Sequence, residues 1–161
     1  MVLSRTRKCG SIASGRLPVS ERRSLPGIAY IALGSNLGAR DKYLASARAL
    51  LKELPGSRLL AESVIEETPP IGPAGQGNYL NQMVALETSL TPEALLDHLM
   101  RIERQLGRER GEKWTARTID LDIVQFGNQV VDSERLILPH PQLPNRDFWQ
   151  RELIELRGDW R

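Results

Sequence analysis

The apolar positions of residues 28–161 change period along the chain, and each change marks an element. Ile28-Ala29-Tyr30-Ile31-Ala32-Leu33 is a short apolar run, which predicts a buried strand ended by the turn residues Gly34-Ser35-Asn36-Leu37-Gly38. Leu44, Ala47, Leu51 and Leu54 then recur at helical spacing, which predicts a helix from Arg40 to Leu54 stopped by Pro55-Gly56. Leu59 to Glu66 and Leu80 to Glu87 read as the second and third strands, separated by the loop Thr68 to Gly77 with its three prolines. Thr91-Pro92-Glu93 opens a second helix: Thr91 fits the N-cap, Pro92 the first helical position, and Leu95, Leu99, Ile102 and Leu106 the buried stripe. Thr118 to Phe126 alternates as a fourth strand, and Gly127-Asn128 turns it into a short hairpin partner, Gln129-Val130-Val131. Leu136 to Pro144 reads as a Pro-broken loop and Arg146 to Leu156 as a helix.

The order βαββαβ with one added hairpin strand predicts an α+β, ferredoxin-like fold, an antiparallel sheet with helices on one face. Residues 28–161 are expected to form one domain with a short C-terminus. Residues 1–27 stand apart, with six basic side chains against Glu21 and no apolar periodicity. They are expected to be a disordered extension, although an Arg- and Ser-rich, acid-poor segment is also the composition of an organelle-targeting peptide. The net charge of +2 therefore hides a body that is acidic by three charges, which argues against a broad nucleic-acid footprint. No apolar run is long enough to span a bilayer, and Cys9 alone allows no internal disulfide. The expectation is a cytoplasmic monomer acting on small molecules.

Candidate chemistry gathers on the fourth strand and three loops. Asp120 and Asp122 alternate with Ile119, Leu121 and Ile123, so both carboxylates share one face with Cα atoms about 7 Å apart. Such a pair can hold hard divalent cations, and magnesium is held by few carboxylates plus substrate phosphates. Arg108, Arg110, Lys113 and Arg117 place four cations within ten residues, with Trp114 among them and Gly107 and Gly111 to let the loop close. That is a phosphate clamp if it meets the carboxylates, and a solvated loop if it does not. Tyr79 and Asn81 share a face of the third strand, where a ring and an amide suit a flat heterocycle as well as they suit a core position. His140 lies between two prolines, with Arg146 and Phe148 beyond it.

As an ordered set these segments resemble the 6-hydroxymethyl-7,8-dihydropterin pyrophosphokinase family. The residues that carry the likeness are Ala32-Leu33-Gly34-Ser35-Asn36-Leu37-Gly38, Thr68-Pro69-Pro70-Ile71-Gly72-Pro73, Tyr79-Leu80-Asn81, Arg101-Ile102-Glu103, Gly107-Arg108-Glu109-Arg110, Arg117 to Ile123, Pro139-His140 and Asn145-Arg146-Asp147-Phe148. The resemblance implies diphosphate transfer from ATP to the pterin hydroxymethyl group, with AMP released. It implies that Asp120 and Asp122 bind two magnesium ions and that Arg108, Arg110 and Arg117 serve the transfer. It implies a pterin site of Thr68, Pro69, Ile71, Tyr79, Asn81, Trp114 and Phe148. ATP contacts would come from Glu103, Arg110, Trp114, Arg117, Ile123, Arg135, His140 and Arg146. The chain departs from the family pattern at Thr115, in a loop one residue shorter before Trp114, at Pro141, and at Glu152-Leu153, where a Pro-Leu step is usual. Beside this reading stand another metal-dependent nucleotidyl- or phosphoryl-transfer enzyme using the same DxD, and a non-catalytic module, either a degenerate pterin and nucleotide binder or an RNA-binding sheet.

Overall fold

The computed structural model describes residues 26–72, 74–108 and 116–158. Its sheet is built on β1 (Gly27–Ser35), which runs antiparallel between β4 (Tyr79–Thr88) and β5 (Asp120–Phe126). β2 (Ser57–Glu62) and the short β3 (Glu66–Thr68) both pair with the far side of β4, giving the order β2-β4-β1-β5. That is the ferredoxin-like arrangement, with every pairing antiparallel.

Strand periodicity gives the sheet two apolar faces. Ile31 and Leu33 of β1, Val84 and Leu86 of β4, and Leu121 and Ile123 of β5 face α1 (Arg40–Lys52) and α2 (Pro92–Gln105), which bring Leu44, Leu51, Leu95 and Leu99 to the main core. Each of these four leucines is fully buried, and truncating one to alanine costs about 2–5 kcal/mol. Tyr30 and Ala32, Met83 and Ala85, and Val124 point the other way. They are covered by Trp149, Leu153 and Leu156 of α3 (Asp147–Gly158). The two helices of the βαββαβ core thus share one face as expected, and the C-terminal helix adds a third layer on the opposite face.

Local signals set α2 closely. Thr91 Oγ1 accepts from Ala94 N at 3.2 Å, and Pro92 takes the first helical position. Two expectations are revised. The second strand is interrupted after Glu62, because Ser63 closes the pairing by itself: its N donates to Met83 O at 2.9 Å and its hydroxyl accepts from Met83 N at 2.9 Å. Val64 and Ile65 are pushed out of the sheet and pairing resumes at Glu66. The hairpin strand does not return along β5. β6 (Val131–Asp132) pairs instead with β7 (Ile137–Leu138), inside the segment read as loop, around a turn closed by Ser133 N to Leu136 O at 3.0 Å. Leu138 is buried in the main core and anchors that ribbon. Residues 1–25, where the basic extension was expected, lie outside the described residues.

Candidate active site

A hollow opens on the α3 face because the middle strand carries small residues there. Gly34 pairs with Asn81 of β4 on one side and Asp120 of β5 on the other, and Ala32 sits likewise between Met83 and Asp122. A Cβ placed on Gly34 would lie 3.5 Å from both Asn81 Oδ1 and Tyr79 Cδ1, so the glycine leaves the floor open. The resulting cavity is about 350 Å³. Thr68, Pro69, Ile71, Tyr79 and Asn81 line one end, and Arg117, Asp120, Asp122, His140 and Arg146 the other, with Phe148 and Trp149 of α3 in the wall. Asn81 Nδ2 donates to Thr68 Oγ1 at 2.7 Å, which fixes the amide. Burial raises the Tyr79 pKa, so its phenol is neutral.

The carboxylate end is ringed by guanidinium groups. Arg117 Nη1 donates to Asp120 Oδ2 at 2.7 Å, and Arg108 Nη1 lies 2.8 Å from Asp120 Oδ1. Arg108 reaches this point through the way α2 ends. Gly107 adopts φ 81°, its N donates to Arg104 O, and Arg108 N donates to Glu103 O at 3.0 Å. This Schellman-type stop folds Arg108 back over the last turn of the helix. There its Nη1 also pairs with Glu103, whose Oε1 accepts from Leu121 N at 2.8 Å. Burial raises the Glu103 pKa, opposed by the Leu121 amide and Arg108. For Arg108 burial acts downward, but Asp120 and Glu103 outweigh it and raise its pKa.

Among the described residues Asp122 has no guanidinium partner of its own. Burial and then the charge of Asp120 push its pKa up to about 7. His140 Nε2 lies 3.9 Å from Asp122 Oδ1. The His140 Nδ1 accepts from Gln142 N at 3.1 Å, which assigns the neutral ring's proton to Nε2, the nitrogen facing Asp122. Burial, then Arg146, lower the His140 pKa and keep the ring neutral. Its backbone N donates to Val124 O at 2.8 Å, holding the Pro-flanked segment to the edge of β5.

Trp149 organises this wall, and sequence reasoning gave it no role. Arg146 stacks over its ring at 4.2 Å, His140 meets it edge-on at 5.0 Å, and Phe148 packs at 6.2 Å. The spacing Arg146-x-x-Trp149, one helical turn, was the available signal. Asn36 is a second such residue. Its Oδ1 accepts from Arg117 N at 2.8 Å and its Nδ2 donates to Gln76 Oε1 at 3.2 Å, joining the Arg117 segment to the Pro-rich loop.

The structure therefore brings Thr68, Pro69, Ile71, Tyr79, Asn81, Arg117, Asp120, Asp122, His140, Arg146 and Phe148 to one cavity, with Arg108 and Glu103 joined to it through Asp120. It does not bring Arg135, which pairs with Asp97 at 2.6 Å on the exposed side of α2. Ile123 turns its side chain into the main core. Arg110 and Trp114 lie outside the described residues.

Among the described residues no group of three metal-ligating side chains converges. The donor set at the cavity is two carboxylates, and that fits magnesium, which keeps waters and takes substrate phosphates as its other ligands. Carboxylates among guanidinium groups at one end, with a ring and a fixed amide at the other, can carry phosphoryl transfer to a flat polar acceptor.

Comparison with known proteins narrows that class. A family model described as 7,8-dihydro-6-hydroxymethylpterin-pyrophosphokinase (HPPK) matches residues 30–158. A 2-amino-4-hydroxy-6-hydroxymethyldihydropteridine pyrophosphokinase of Haemophilus influenzae is 41% identical over 131 residues, 81% of this chain and 82% of that protein. Proteins of the same name from Bacillus subtilis and Pseudomonas aeruginosa are 44% identical over 129 residues (80% of this chain, 77% of that protein) and 42% identical over 132 residues (82% of both). The chain belongs to the 7,8-dihydro-6-hydroxymethylpterin-pyrophosphokinase family.

Proposed function

We propose that this chain transfers the terminal diphosphate of ATP to the hydroxymethyl group of 6-hydroxymethyl-7,8-dihydropterin, releasing AMP, in folate biosynthesis, and that the reaction runs in the cavity above Gly34. The acceptor hydroxyl oxygen bonds to the β-phosphorus, the bond from that phosphorus to the α,β-bridging oxygen breaks, and the hydroxyl proton is lost. No side chain bonds to phosphorus, so the chain's work is positioning and charge neutralisation.

The pterin lies between Tyr79 and Phe148, and Asn81, held by Thr68, presents its amide to the ring's polar edge. Arg108, Arg117 and Arg146 draw the phosphates to the other end, and neutral His140 offers an Nε2 proton there. Asp120 and Asp122 would hold two magnesium ions, which would neutralise the charge of the triphosphate. Arg110 and Trp114 complete the ATP-side assignment, while Arg135, held by Asp97, and Ile123, whose side chain lies in the main core, are left out of it. On this reading the working unit is a monomer acting on two small molecules. Among the described residues no helix is long and apolar enough to cross a membrane, and a reaction consuming ATP fits the cytoplasm.

The carrying observation is that Asp120 and Asp122 share one cavity with Tyr79, Asn81 and Phe148. The test incubates the purified chain with ATP, magnesium and the pterin and separates products by chromatography. AMP and a diphosphorylated pterin should appear in equal amounts. Folded protein that binds ATP and yields no AMP would overturn the proposal.

A further inference from the structure

The α3 face buries one carboxyl group for which the reaction has no use. Glu152 is 2% exposed, and neither carboxyl oxygen has a hydrogen-bond partner among the described residues. It follows Phe148 by four residues and Trp149 by three, so it extends the stripe of α3 that faces the sheet. Its helix neighbours reach across to the corner between β2 and β3. Arg151 Nη2 pairs with Glu66 Oε1 at 2.5 Å, and Glu155 Oε1 accepts from Val64 N at 3.0 Å. Glu66 lies opposite Asn81 on β3, two residues before Thr68. The seam that buries Glu152 therefore also sets the spacing between Phe148 on α3 and Thr68 and Asn81 on the sheet.

The charged groups facing Glu152 are Glu66 from β3 and Glu155 and Arg151 from α3. Arg151, the single cation among them, is already bound to Glu66. β4 presents uncharged Asn81, Met83 and Ala85 on this face, and β2 presents Leu60. Burial first, then Glu66 and Glu155, push the Glu152 pKa up to about 8.

We propose that Glu152 is a proton-controlled latch on the pterin wall: as the neutral acid it lets α3 pack against β3, and its ionisation at alkaline pH loosens that seam and withdraws Phe148 from Thr68 and Asn81. This rests on the pterin reading of the cavity. The sign follows from the raised pKa. The folded state keeps a proton that the unfolded state has shed above about 4.5, so stability falls as pH rises through about 8 and then levels.

The test compares wild type with Glu152→Gln, which keeps the shape and cannot ionise. Melting temperatures of the proteins alone are taken from pH 5 to pH 9.5. The wild type should lose stability relative to the variant across this range, with the difference levelling above about pH 8. Pterin affinity is then read by fluorescence with magnesium and a non-hydrolysable ATP analogue. The wild-type Kd should rise about thirtyfold more than that of the variant between pH 7 and pH 9.5, one decade for each of the roughly 1.5 pH units above a pKa of about 8. Because both proteins meet the same ligand, its own titration cancels. A constant melting difference at every pH would mean a structural role without titration and would overturn the latch. A melting difference that bends near pH 8 with parallel affinity curves would overturn its link to the pterin wall. Absence of pterin binding by both proteins at every pH would overturn the pterin reading itself.

Discussion

Glu103 and Arg108 are paired at the C-terminus of α2, and the pair decides where a cation meets Asp120. Glu103 is nearly buried, takes one hydrogen bond from Leu121 N, and leaves the rest of its charge for the guanidinium. Arg108 is thus held at Asp120 before any phosphate arrives, which lowers the ordering cost of binding.

Glu103→Ala removes that anchor and strands a partly buried cation. Breaking a buried pair costs about 3–5 kcal/mol, and the lower end is expected because Asp120 still faces Arg108. Denaturant unfolding should show the loss. Steady-state kinetics should show kcat reduced at least tenfold, with KM for the pterin little changed. Wild-type turnover in a folded Glu103→Ala variant would remove Glu103 from the machinery.

Asp122→Asn should separate stability from activity. Asp122 is crowded by Asp120, and neutral His140 lies near its Oδ1. The amide removes a desolvated, like-charged group, so melting in the absence of metal should be unchanged or raised at pH 8. Activity should fall by three orders of magnitude or more, about 4 kcal/mol of transition-state stabilisation. A variant that melts well below wild type and retains activity would contradict the assignment.

Magnesium binding should release protons below neutrality. With its pKa raised to about 7, metal-free Asp122 still holds a proton over much of the range between its ordinary value of 3.8 and 7. Metal needs the carboxylate, so affinity should climb with pH and level above about 7. Titration calorimetry at pH 6.5 in two buffers of different ionisation enthalpy should give different apparent heats for wild type and equal heats for Asp122→Asn. Equal heats for both would place the proton elsewhere.

Gly34→Val should close the floor without unfolding the sheet. A Cβ at this position makes only ordinary contacts, so the backbone tolerates it, but the added methyl groups stand beside Tyr79 and Asn81. Pterin affinity should drop at least tenfold while circular dichroism stays that of wild type. Full affinity in the variant would move the pterin away from Gly34.

The sequence made some of this legible because local chemistry decided it. Thr91 and Pro92 fixed the start of α2, and the alternation around Asp120 and Asp122 fixed their common face. Tyr79 with Asn81 on the third strand, and His140 with Arg146 and Phe148 near the C-terminus, read as separate segments that only strand pairing could bring together. The break after Glu62 was hidden because it depends on Ser63 reaching Met83 across the sheet. The β6–β7 ribbon was hidden because Leu138 finds its place in a core shared with α1 and α2. Arg135 had an equally good partner in Asp97, distant in sequence. Trp149 carried a three-residue spacing to Arg146 that the sequence reading left unused.

The most direct test of the account is phosphorus-31 NMR of the complete reaction with ATP, magnesium and the hydroxymethyl dihydropterin. Attack at the β-phosphorus predicts that both terminal phosphorus atoms of ATP appear on the pterin as a coupled pair while AMP accumulates. ADP with a singly phosphorylated pterin, or free pyrophosphate with an unchanged pterin, would contradict it.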